Sequence, residues 1–263
     1  MLRVSPSPQT LLPAQPSVAI LGSGALGTYY GAKLARLGLP VSFLARRDLD
    51  HLQRHGLQIR CTEGDFDLKS VRAFAGRERI LCGVCHVCVS RPEPGVALNM
   101  SGGNIRFSDL SGGDTPRARS LAGWFEKAGI RCSVAPSVGS ARWYKLVWNV
   151  PFNGLAIAGG GIDTARILAD PKLHQETLDL MQEVMTASDV LGFTQDADHP
   201  EKEIIRTRKM GAYQPSSLLD YLADKPVELE SIWGEALRHG TAAGVPMPHL
   251  QKLYEKLKTM VKV

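Results

Sequence analysis

Apolar residues follow two rhythms along this chain, and the change of rhythm near Pro136 predicts two domains. Before it, short apolar runs are separated by glycine-bearing turns. After it, apolar residues recur every three or four positions, the period of a buried helix face. The first half opens with a proline-rich leader, residues 1–16, which reads as disordered. A strand follows at Val18 to Leu21, then a helix from Ala25 to Leu37 capped by Gly38, then a strand from Pro40 to Ala45. Residues 48–56 read as a short helix closed by Gly56. Leu57–Arg60 and Phe66–Val71 flank Glu63-Gly64-Asp65 and predict a hairpin. Arg79 to Ser90 reads as a strand. Gly95–Asn99 and Asn104–Phe107, on either side of Gly102-Gly103, predict a second hairpin. Pro116 to Gly129 is helical, and Ile130–Val134 is a short strand.

The second half reads as helices throughout. Ser140 to Ala158 is one helical run interrupted by Pro151 and followed by Gly159-Gly160-Gly161. Asp170-Pro171 supplies an N-cap with proline at the first helical position. Behind it Leu173, Thr177, Leu180, Met181, Val184, Met185, Ser188 and Leu191 make an apolar stripe. Pro200 to Gly211, Pro226 to His239 and Pro248 to Val261 complete the set. The fold class is therefore an α/β, Rossmann-like dinucleotide-binding domain over residues 17–136, incomplete, and an all-α domain over 137–263.

The organising motif is Gly22-Ser23-Gly24-Ala25-Leu26-Gly27, set between the first strand and the first helix. Gly22 permits the tight turn, Gly24 lets a pyrophosphate approach the backbone, and Gly27 allows close helix–strand packing. The unpaired N–H groups and positive dipole end of the helix favour phosphates. The second strand ends in Arg46-Arg47 with no acidic residue at its tip, and Asp48 comes two residues on. A free ribose hydroxyl calls for a carboxylate there and a 2′-phosphate calls for arginine, so Arg46 points to NADP(H). A solvated arginine pair is the alternative.

Composition narrows the class. The net charge is +5, with Lys and Arg spread along the chain, which suits an anionic small molecule and argues against a nucleic-acid module. No apolar run reaches the ~20 residues of a membrane span. The leader has no apolar segment of a secretory signal, so a cytoplasmic location is expected, with an organellar address the lesser alternative. Cys82, Cys85 and Cys88 form a CxxCxxC string, but the text around them is that of a strand. Cys82 and Cys88 would face one way and Cys85 the other, so buried thiols in a reducing compartment are expected and no metal site.

The candidate chemistry lies in the second half. Lys145, Asn149 and Asn153 recur at i, i+4 and i+8, which places an ammonium and two amides on one helix face within apolar text. Buried polar stripes are costly unless they meet a ligand or one another.

Taken together, GSGALGTYYG, WYKLVWNVPFNGL, SSLLDYLADKPVELESIWG and AAGVPMPHLQKLY resemble the ketopantoate reductases (2-dehydropantoate 2-reductases) from Val18 to the C-terminus. The resemblance implies NADPH-dependent reduction of 2-dehydropantoate to pantoate, on the way to pantothenate and coenzyme A, in a homodimer. It puts Lys145 at the catalytic lysine, Asn149 and Asn153 at the substrate amides, Ser216 at a carboxylate contact and Glu228 at an acid near the lysine. The chain departs from the family after Ala75, where it runs straight into Gly76. About two βα units of the coenzyme domain are missing there. Two other readings therefore stand beside the first: a catalytically impaired homologue that binds or dimerises, and a reductase of another branched 2-keto acid.

Overall fold

The computed structural model describes residues 15–21, 25–44, 54, 57–61, 66–68, 81–90, 93, 95–109 and 113–262. The chain divides into two compact units, Met1–Ala141 and Arg142–Val263.

In the first unit, β1 (Val18–Leu21), α1 (Ala25–Arg36) and β2 (Val41–Leu44) form a βαβ unit, with β1 and β2 parallel in the register Val18 to Val41. Gly31 lets α1 lie close on this pair. A Cβ there would stand 2.5 Å from the Phe43 ring and 2.8 Å from Ile20 Cγ1. A second sheet holds β3 (Leu57–Cys61), β4 (Phe66–Leu68), β5 (Leu81–Ser90), β6 (Val96–Asp109) and β7 (Arg131–Val134). β3 and β4 form the expected hairpin, and β3 and β7 run parallel to β6. α2 (Pro116–Lys127) carries Phe125, which meets Tyr30 and Phe107 edge-on. Their rings sit in one core with Leu34, Val41, Phe43 and Ile105.

One expectation in this unit meets structure that differs. The second hairpin does not exist, because Val96 to Phe107 belongs to the single 14-residue strand β6, paired antiparallel with β5. Gly102-Gly103 makes a bulge instead of a turn, with register shifts on either side of Cys88. Gly103 has φ 151°, and a Cβ there would stand 2.8 Å from Val87 Cγ2. The long partner strand β5 satisfies the backbone of both halves of β6, which a local glycine signal cannot reveal. On β5, Cys85 packs toward the core, while Cys82 pairs with Ser108 and Cys88 with Ser101. The Cys132 thiol on β7 is pushed up to about 12, chiefly by burial and then by the Glu126 charge. The leader, the expected helix at 48–56 apart from residue 54, and the Ala75–Gly76 junction lie outside the described residues.

The second unit is helical: α3 (Val138–Ala158, which begins in the first unit), α4 (Thr164–Ala169), α5 (Pro171–Val190), α6 (His199–Met210), α7 (Ser216–Leu222), a π-helical turn (Glu230–Gly234), α8 (Glu235–Ala242) and α9 (Pro248–Lys258). Asp170 caps α5, its carboxylate accepting from the N–H groups of Lys172 at 2.8 Å and Leu173 at 3.1 Å. The stripe expected on α5 is buried at Thr177, Leu180, Met181, Val184, Met185 and Ser188. Glu183, on the same helix, accepts from the N–H groups of His249 and Leu250 at 2.8 Å each and so caps α9. Proline in a helix interior costs about 3 kcal/mol, yet Pro151 does not interrupt α3. Val147, Val150, Phe152 and Leu155 around it all enter the core, and that burial outweighs the lost bond. The helix expected from Pro226 starts later, after Val227, whose N–H donates to the Lys262 carbonyl at 2.9 Å. No helix of the described residues is long and apolar enough to cross a membrane.

Candidate functional site

α3 gives the site its axis. Its rear is fixed to α6 by three aromatic contacts. Tyr144 stacks on His199 with ring centroids 3.8 Å apart, the Trp148 indole N–H donates to Thr207 Oγ1 at 2.8 Å, and the Arg206 guanidinium lies 5.8 Å from the Trp148 ring. Phe152 continues this apolar side, 5.1 Å from Trp148. With the rear committed, Lys145, Asn149 and Asn153 share another face. Lys145 and Asn149 are half-buried, and Asn153 is 1% exposed.

Asn153 is the junction of the site. Its Oδ1 accepts the Ser217 N–H at 3.0 Å, and its Nδ2 donates to the Asn149 carbonyl at 3.2 Å. The first bond ties α3 to the start of α7, across 64 residues of sequence. An amide offers two donors and two acceptor sites, so Asn153 keeps one N–H beyond these bonds.

The structure distinguishes the expected serine from its neighbour by burial. Ser216, which the sequence put at a substrate carboxylate, is exposed, whereas its neighbour Ser217 is 3% exposed and bonded to Asn153 through its backbone. The Ser217 hydroxyl is buried and has no hydrogen-bond partner among the described residues. An unpaired buried hydroxyl costs about 1–3 kcal/mol, and a ligand oxygen would satisfy it. Sequence reasoning missed Ser217 because two adjacent serines look alike until the helix phase is known.

Glu228 is exposed, just ahead of the π turn, and its carbonyl accepts the Ile232 N–H at 3.1 Å. Two residues on, Glu230 accepts from the Tyr254 hydroxyl at 2.6 Å and pairs with Arg238 at 2.7 Å. These bonds, the tyrosine's first, hold its carboxyl below the usual carboxylate range.

Of the coenzyme motif, Ala25, Leu26 and Gly27 form the first turn of α1, directly after the stretch that leaves β1. That turn carries no acidic side chain to compete with a phosphate. Gly22, Ser23, Gly24 and Arg46 lie outside the described residues.

The chain is similar to known proteins. The model of the family described as "Ketopantoate reductase PanE/ApbA" matches residues 18–75, and that of its C-terminal domain matches 137–261. A 2-dehydropantoate 2-reductase of Methylococcus capsulatus is 30% identical, with 92% of this chain and 96% of that one covered at a TM-score of 0.81. The chain belongs to the ketopantoate reductase family. The Geobacter metallireducens 2-dehydropantoate 2-reductase superposes with a TM-score of 0.85 at 29% identity, over 92% of this chain and 99% of that one. A 2-dehydropantoate 2-reductase of Nostoc is 27% identical over 91% of this chain and 93% of its own length. Structures of D-mandelate dehydrogenase with NADH share the fold at 17% identity and a TM-score of 0.80.

The same comparisons bear on the missing segment. The N-terminal ketopantoate reductase model stops at residue 75, where the sequence leaves the family pattern. The Nostoc alignment extends over 299 positions while using 91% of a 263-residue chain. Positions of that relative therefore have no counterpart in this chain.

Proposed function

We propose that this chain is built for the NADPH-dependent reduction of 2-dehydropantoate to pantoate, with the α3 face of Lys145, Asn149 and Asn153 as its substrate side. The observation that carries the reading is the Asn153 junction, which joins that face to the buried, unpaired hydroxyl of Ser217. 2-Dehydropantoate presents a carboxylate, a ketone and a hydroxyl, and this set of an ammonium, amides and a hydroxyl can address all three.

The backbone of Gly22 to Gly27 and the side chain of Arg46 would hold the coenzyme, and the acid-free first turn of α1 fits its phosphates. When bound, NADPH supplies the hydride. Lys145 then does the work of an acid: its ammonium faces the oxygen that becomes an alkoxide, stabilises the growing charge and delivers the proton. Asn149 and the remaining Asn153 N–H orient the substrate, and Ser217, rather than Ser216, meets its carboxylate. Glu228 sits on the segment that leads into the π turn, where its charge would steer the lysine. The domains proposed are a coenzyme domain over 17–136 and a substrate-binding and dimerising domain over 137–263.

A second reading follows from the break at residue 75. Without the missing units the chain would keep the helical substrate side and act as a weakly binding, catalytically impaired homologue. One experiment separates the readings: purified protein is given NADPH with 2-dehydropantoate or a panel of other 2-keto acids, and loss of absorbance at the reduced nicotinamide band is followed. Oxidation with 2-dehydropantoate alone supports the first reading. Oxidation with a different acid moves the substrate, and none at all supports the impaired homologue.

A further inference from the structure

We propose that Trp233 is a positioning residue for the substrate face of α3, and that the π turn Glu230–Gly234 aims its indole N–H at the Val150 carbonyl. The proposal rests on the reading of that face given above. A π turn inserts one residue into a helix, and one residue turns the helix phase by about 100°. It therefore decides which side chain of the segment points at α3. That side chain is Trp233, fully buried, whose Nε1–H donates to the Val150 carbonyl at 2.9 Å. Val150 stands one residue after Asn149 and three before Asn153. A carbonyl has two lone pairs, so it can take the indole N–H beside a helical one.

The opposing surface is cut to fit. Gly154 lies at the contact, and a Cβ there would stand 2.8 Å from Trp233 Nε1 and 2.6 Å from Leu253 Cδ2. Any other residue would push the indole off α3. The turn of α3 from Asn149 to Asn153 is thus gripped from two sides, by Trp233 on Val150 and by the Ser217 N–H on Asn153. At its other end the π turn starts two residues after Glu228, whose carbonyl accepts from Ile232 inside it. One indole therefore sets the register of the Glu228 segment against the amides of α3. A buried indole also needs an acceptor for reasons of packing alone.

The test is Trp233→Phe in the full chain, which keeps an aromatic ring and removes the N–H. Amide exchange at Ser217 should quicken about 10-fold, beyond any change at the α5 amides of Met181 and Val184, which report whole-unit stability. Affinity for pantoate should fall by a similar factor while affinity for NADPH stays the same. If Ser217 exchange moves only in step with α5, or if pantoate affinity is kept, Trp233 is a packing residue and the proposal falls. If the parent chain binds neither pantoate nor 2-dehydropantoate, the proposed function fails by itself, and the exchange comparison alone decides the role of Trp233. Should Trp233→Phe not fold, Gly154→Ala keeps the indole but holds it away from Val150. It must then give the same Ser217 signature, and an unchanged Ser217 amide would refute the proposal.

Discussion

The helical unit builds its candidate site from residues far apart in sequence, and the α/β unit builds its own from one short loop. In the helical unit Asn153 meets Ser217 across 64 residues and Trp233 meets Val150 across 83. In the α/β unit the residues proposed for the coenzyme phosphates lie between the end of β1 and the first turn of α1. The difference teaches what a deletion can spare. A loop-built half-site survives the loss of chain that follows it, and a helical site is untouched by changes before its own domain. What the loss removes is the wall of the crevice, because a dinucleotide fold needs two mononucleotide halves to hold both ends of its ligand.

The largest effect should come from restoring that wall. A family-type segment placed between Ala75 and Gly76 should raise NADPH-dependent turnover of 2-dehydropantoate by orders of magnitude over the 263-residue chain. Misplacing a hydride by ~1 Å costs about 10²-fold, and a lost oriented donor adds roughly 10²–10³. Steady-state kinetics of the two proteins make the comparison. Turnover of the shorter chain on the order of 1–10³ s⁻¹ would show that it already has what it needs.

Lys145→Ala in whichever form turns over should lower kcat by ~10²-fold or more, since proton delivery and alkoxide stabilisation vanish together. The helical fold should be kept, as measured by circular dichroism. An unchanged kcat would remove Lys145 from the mechanism and leave the α3 face a structural network.

Arg46→Ala tests the other unit. It should weaken NADPH by the roughly 1.5–3 kcal/mol of a charge-assisted hydrogen bond and leave NADH nearly unaffected. Titration with both coenzymes gives the answer, and equal losses would mean that Arg46 reads something other than the 2′-phosphate.

Legibility in the sequence followed the same division. The βαβ start, the β3–β4 hairpin, the α5 stripe and the Asp170 cap were all readable, because each depends on neighbours within a few turns of chain. β6 was misread because its glycine pair looks like a turn unless the partner β5 is known. Ser217 was missed, and the π turn was invisible, for one shared reason. Helix phase at a junction is set by packing between elements, and residue types carry no trace of it. Pro151 misled in the opposite sense, since its local penalty is real but smaller than the core it sits in.

The smallest effect concerns the rear of α3, and it tests whether the helical unit is held by its own polar network. Glu203 is buried on α6, 3.4 Å from His199 Nε2, and the Arg206 Nε–H donates to it at 2.9 Å. Burial pushes its carboxyl upward, but the His199 ring close by and the charge and bonds of Arg206 outweigh that and hold it below the ordinary range. The folded state therefore binds this proton less readily than the unfolded chain, whose glutamates titrate near about 4.3. The stability so gained is full above that pH and drains away as the pH falls through the lower folded value. Urea midpoints read by tryptophan fluorescence, to which Trp148 beside Arg206 contributes, should fall on acidification through this range. Glu203→Gln should lower the midpoint at neutral pH and flatten its fall in acid, because a neutral amide has no proton to take up. If the variant and the parent lose stability in parallel as the pH drops, the acid sensitivity lies in other carboxylates, and the network behind α3 is only a well-packed surface.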